Sequence, residues 1–162
     1  MLRKLLGLKP KASIYSQAMP QTEGALELTY LGTAGFILKN KQRTVVLDPY
    51  LSRVGVTELF RPLHTNTALL KKYIPHADDV LIGHAHYDHI LDAPDLCKQT
   101  GARLIGSKAT CMVGRAAGLP ESQLKETEGR EDIACGSWTV RGLPSIHGKA
   151  IFGRIPIAGD IL

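Results

Sequence analysis

Residues 78–94 read DDVLIGHAHYDHILDAP. The apolar run at 78–83, bounded by acids and a glycine, has the pattern of a short buried strand. Directly after it, three histidines and an aspartate fall within six positions: His84, His86, Asp88 and His89. This arrangement puts a rigid strand behind a loop of polar side chains, the usual way a scaffold aims functional groups. In extended chain, side chains two apart point the same way, so His84, His86 and Asp88 are expected on one side. His89 joins them once the chain bends into the helix that follows. Imidazole nitrogens with one carboxylate suit zinc and neighbouring transition metals. The spacing is not HExxH, in which two histidines share a helical face. It is a loop site.

The rest of the chain supplies a frame of short strands and helices. ALELTYLG (25–32) alternates Leu26, Leu28 and Tyr30 with polar residues, as a half-buried strand does. GFILKN and KQRTVVLD read as two strands around a polar turn at Asn40 to Arg43, the second ending at Asp48-Pro49. TNTALLKKYI (65–74) is helical, with Thr65 as a candidate N-cap and Pro75 closing it. Asp92 is placed to cap a helix that ends at Gly101. ARLIGS is a strand, KATCMVGRAAGL a helix stopping at Gly118, and the chain beyond Pro120 turns to β. EDIAC and SWTVRGLP flank Gly136 as a hairpin. The order is β-hairpin, helix, strand, helix, strand, helix, β-hairpin, which predicts a mixed α/β fold with sheet and helices in layers.

The length of 162 residues fits one domain with its own core. Residues 1–24 read as a basic then polar tail, and 25–162 as the domain. Four of the five net positive charges come from Arg3, Lys4, Lys9 and Lys11, so the charge is poor evidence for nucleic acid, and no nucleic-acid partner is expected. No apolar run approaches the ~20 residues of a membrane span, and no signal peptide is evident, so a cytoplasmic location is the default expectation. Cys97, Cys111 and Cys135 are odd in number and widely spaced, which favours buried structural thiols over a disulfide framework. His64 and His76 read as ordinary isolated histidines.

HAHYDH matches the HxHxDH motif, and with it the chain resembles the metallo-β-lactamase fold hydrolases. LTYLGTAGFILK is similar to that family's opening hairpin, TVVLDPYL to its strand ending in an aspartate, here Asp48, and LPSIHG to the segment supplying a further histidine, here His147. The Tyr of HYDH and the DPYLS segment resemble the branch containing ascorbate-6-phosphate lactonase-like and N-acylphosphatidylethanolamine phospholipase D-like hydrolases. The resemblance implies an αβ/βα sandwich of two sheets with helices outside. It also implies that His84, His86 and His147 bind one metal, while Asp88 and His89 begin a second site. The cofactor is then one or two zinc ions, with manganese or iron as alternatives. Asp48 either orients a ligand histidine or is a turn residue at the strand end.

The implied reaction is hydrolysis of an ester, lactone or phosphodiester of a small molecule. The nucleophile is a water activated by the metal, with Asp88 orienting it or taking its proton. A phosphorylated substrate follows from the branch resemblance alone. After His147 the chain has no histidine, and Asp160 is its only later acid. Two readings stay open. One is an active hydrolase, completed within this chain or by homo-oligomerisation. The other is an N-terminal part of such a hydrolase, truncated at the C-terminus, that binds metal weakly or not at all and leaves one sheet face unburied.

Overall fold

The computed structural model describes residues 26–55, 57–58 and 61–144. His147 and Asp160 lie outside the described residues, as does the whole basic tail of residues 1–24. Among the described residues, eight strands, four helices and a short 3-10 turn at Glu121–Gln123 follow one another in chain order. Strands β1 (Glu27–Gly32), β2 (Gly35–Lys39), β3 (Thr44–Leu47), β4 (Asp79–Leu81), β5 (Arg103–Gly106) and β6 (Leu124–Glu126) form one sheet in sequence order. The first three are antiparallel, and β3 to β6 run parallel. Strands β7 (Asp132–Cys135) and β8 (Trp138–Arg141) form a separate two-stranded sheet. The helices are α1 (Thr67–Tyr73), α2 (Tyr87–Ile90), α3 (Ala93–Thr100) and α4 (Lys108–Ala116).

Alternation along the strands decides what each face of the sheet meets. Val46, Val80 and Leu104 pack against Leu70 and Ile74 from α1 and its end, and against Leu96 and Cys97 of α3. Their neighbours Leu81 and Ile105 point the other way and meet Ile133, Cys135, Trp138 and Val140 of the small sheet. The result is three layers, helices on sheet on hairpin, which meets the expectation of a layered α/β fold. The small sheet turns at Gly136, whose φ of +65° suits the first position of a two-residue hairpin. Asp79 fastens the last two layers. It is fully buried and accepts from Arg43 Nη2 at 2.7 Å and from Arg103 Nε at 2.7 Å. Arg103 also donates to the Ala134 carbonyl at 2.8 Å, in β7.

The hairpin covers only part of its face. Among the described residues nothing covers Leu26, Leu28 and Tyr30, which are 54%, 61% and 63% exposed. Leu28 pairs with Leu38 and Tyr30 with Phe36, so this apolar surface continues onto β2. The three cysteines are buried and unpaired, as expected of structural thiols. Two cap assignments shift. Asn66, not Thr65, caps α1, its side chain accepting from Leu69 N at 3.2 Å. Thr65 donates instead to the Leu91 carbonyl at 3.1 Å. Asp92 occupies the cap position of α3 by backbone, yet its carboxylate makes no capping bond. No helix among the described residues is long and apolar enough to cross a membrane.

Candidate metal centre

The site forms where two adjacent parallel strands end. Strand β3 runs out at Leu47, and Asp48 N still donates to Leu81 O of β4 at 2.9 Å. Asp48 then takes a φ of +40°, in the left-handed region that Asp and Asn tolerate better than most residues. This turns its carboxylate across the strand ends. Oδ1 accepts from Gly83 N at 2.7 Å, and Oδ2 stands 2.9 Å from His89 Nδ1. Gly83 permits the approach: a Cβ there would sit 3.1 Å from Asp48 Oδ2. Loops at the carboxyl ends of parallel strands are the favoured ligand position in open α/β sheets.

Beyond Gly83 the chain carries His84 and Ala85, then enters α2 with His86 at its N-cap. His84 Nε2 and His86 Nδ1 are 3.0 Å apart. The rings of His84 and His89 stack at 3.9 Å between centroids, tilted by 49°. The three histidines therefore share one cluster, as the spacing predicts. Asp88 arrives differently. The helix starts at Tyr87, so Asp88 projects from its first turn rather than from extended chain, with Oδ2 3.7 Å from His89 Nε2. It is 37% exposed, against 14% for His89 and 13% for Asp48. Both readings of Asp48 hold together in the structure: it is a strand-end turn residue, and it holds His89.

Among the described residues no three His, Cys, Asp or Glu side chains converge on one ion-sized centre. The donor set nevertheless has the chemistry of one. Two nitrogens on a tetrahedral zinc stand about 3.3 Å apart, close to the His84–His86 separation. A carboxylate only accepts, so in the neutral ring the proton of His89 sits on Nδ1 and Nε2 presents its lone pair. That is how carboxylates orient metal-ligating imidazoles. His84, His86, His89 and Asp88 are thus the described residues that could hold a metal.

Tyr50 and Tyr87 meet edge to face behind this loop, with centroids 6.0 Å apart. Burial, with Tyr87 beside it, pushes the Tyr50 phenol up to about 12. The sequence marks Tyr50 and Ser52 only within the DPYLS resemblance and says nothing of the carboxylate contacts of Asp92, because these contacts join segments about forty residues apart. His64 lines a cleft of about 450 Å³ with Ser52, Arg53, Glu58, Thr65 and Asn66, apart from the histidine cluster. His76 is exposed, 3.4 Å from Asp78.

A mixed sheet with helices on one face and metal-type ligands at its strand ends defines the class. Residues 43–161 match the family described as the beta-lactamase superfamily domain. The chain belongs to that family, with a metallo-β-lactamase type of fold. It is 33% identical over 138 residues to a UPF0173 metal-dependent hydrolase of Thermodesulfovibrio yellowstonii, a match covering 79% of this chain and 48% of that protein. A UPF0173 metal-dependent hydrolase of an Anaeromyxobacter species is 36% identical over 101 residues, covering 62% of this chain and 34% of the relative. The chain thus spans half or less of the length of these relatives. Among solved structures, CmlA, a diiron beta-hydroxylase from Streptomyces venezuelae, superposes with a TM-score of 0.57 at 24% identity, over 76% of this chain and 24% of that one. That likeness concerns the fold.

Proposed function

We propose that this chain carries the metal-binding half of a hydrolase site. His84, His86 and His147 hold one ion, zinc in the first instance, and Asp88 with His89 offers the start of a second position. The observation that carries the reading is the histidine cluster at the ends of β3 and β4, with Asp48 fixing His89 at 2.9 Å. The names of the relatives, metal-dependent hydrolases, support it.

A bound divalent metal supplies Lewis acidity toward the scissile carbonyl or phosphoryl oxygen and toward the attacking water. The chain's own residues do the rest. Asp48 keeps the His89 proton on Nδ1 and fixes the ring plane. Asp88, the most exposed acid of the cluster, orients the attacking water and accepts its proton. The substrate is a small molecule with an ester, lactone or phosphodiester bond, and the resemblance to lactonase-like and phospholipase-like members favours a phosphorylated one. A screen of aryl phosphodiesters and lactones, wild type against His86→Ala, tests this. Turnover abolished by the substitution supports the mechanism; turnover indifferent to it refutes the mechanism.

A second reading, a chain that binds metal weakly and does not turn over, is favoured by one observation. Among the described residues no three donors converge on one centre. Absence of retained metal in purified wild-type protein, with no turnover in the screen, would select it.

A further inference from the structure

We infer that Asp92 is a positioning residue for the metal loop, and that its carboxylate locks the segment carrying Asp48 to the segment carrying His89. The inference rests on the metal reading of the histidine cluster.

Asp92 is fully buried, three residues after His89 and at the cap position of α3. A capping aspartate ordinarily spends its carboxylate on the first free N–H groups of its own helix. Asp92 does not. Both of its oxygens reach instead to the loop that follows Asp48. Oδ2 accepts from Leu51 N at 2.6 Å and from Ser52 N at 2.8 Å, and Oδ1 accepts from the Ser52 hydroxyl at 2.5 Å. The Ser52 Oγ in turn accepts from Asn66 N at 2.6 Å, at the cap of α1. Three converging donors give a buried carboxylate what it needs to stay in a core, and they also fix where residues 51 and 52 lie.

The consequence for the site is geometric. Asp48 stands at a φ of +40° at the start of this loop, four residues before Ser52. The turn at Asp48 has a fixed beginning, strand β3, and Asp92 gives it a fixed end. The same residue fixes the exit of α2, the helix that carries Asp88 and His89. The Asp48–His89 contact is thus closed into a ring of four links: Asp48 to His89, His89 along α2 to Asp92, Asp92 to Ser52, and Ser52 back along the chain to Asp48. Releasing Asp92 opens the ring at the point farthest from the imidazoles.

The test uses the full 162-residue chain with Asp92→Ala, Asp92→Asn and Ser52→Ala, and Leu70→Ala as a control for general core damage. Two readouts are taken: zinc affinity by calorimetry, and the position of the Gly83 amide in the metal-free ¹H–¹⁵N spectrum, since Gly83 N donates to Asp48. Asp92→Ala should weaken zinc about tenfold or more, the loss typical of partners behind a ligand, and should shift the Gly83 amide. Asp92→Asn retains acceptor and donor capacity toward the loop and should recover most of the affinity. Ser52→Ala should move both readouts in the same direction by less. Leu70→Ala should move neither. Should Asp92→Ala not fold, Ser52→Ala decides: a Gly83 amide unchanged in it overturns the inference. So does an equal shift in Leu70→Ala. If wild-type protein binds no zinc, the metal reading fails, and the Gly83 amide alone still judges the positioning role.

Discussion

Replacing Asp48 by Asn separates the role of its charge from the role of its backbone. The carboxylate has two contacts, Gly83 N at 2.7 Å and His89 Nδ1 at 2.9 Å, and both partners donate. An amide has one acceptor and one donor end. With its oxygen on Gly83, the NH₂ faces His89 and drives the ring proton to Nε2, the nitrogen needed for a metal. With its oxygen on His89, the NH₂ opposes the Gly83 N–H. One contact is lost either way. Disturbing such a partner weakens metal about 10–100-fold, or about 1.4–2.7 kcal/mol. Fold stability should change little, because Asn tolerates the +40° φ at this position. Asp48→Ala should weaken metal as much and also destabilise the fold by about 1–2 kcal/mol, the cost of the left-handed conformation for a residue with an ordinary Cβ. Calorimetric zinc titration and urea denaturation of the two variants measure both quantities. An Asp48→Asn protein that folds normally and binds zinc as wild type does would refute the reasoning.

Three further outcomes follow from the structure. Asp79→Ala leaves Arg43 and Arg103 without their shared partner; they are 24% and 36% exposed, so the loss should sit at the low end for a broken buried ion pair, about 3 kcal/mol, seen as a melting temperature lower by about 6–12 °C. Cys97, Cys111 and Cys135 are buried, and burial raises each thiol, that of Cys97 to about 12; a disulfide reagent at neutral pH should therefore label none rapidly in the folded protein and all three in denaturant. Burial also raises the Asp92 carboxyl above its ordinary 3.8, so its contribution to stability is fully present below that value and lost as pH rises through the higher folded value. Asp92→Asn lacks this titration, and the stability of wild type relative to the variant should fall through that window and be flat above it, in urea titrations across pH.

Much of this fold is legible in the sequence because local rules govern it. The strand at 27–32, the turn at Asn40 to Arg43, the left-handed Gly101 and the hairpin at Gly136 are each set within a few residues, but the half-buried face expected of Leu26, Leu28 and Tyr30 is exposed among the described residues. The histidine cluster is legible for the same reason: one strand end and one short helix deliver it. Asp88 departs from expectation because the helix begins at Tyr87, one residue before the periodicity of extended chain would end. The Asp48–His89 contact is foreshadowed only by the family resemblance, and the Asp92–Ser52 contact not at all, since each joins residues 40 or 41 apart and depends on β3 and β4 becoming neighbours. Nor does a capping-type aspartate announce that its carboxylate serves another loop.

Metal retention by purified protein tests the central claim most directly. Wild type and His86→Ala, each loaded with zinc and dialysed exhaustively, are analysed by atomic emission. At least one zinc per wild-type chain should be retained, and none by His86→Ala, because His86 is one of the ligands. Equal zinc in both, or none in a folded wild type, would contradict that claim.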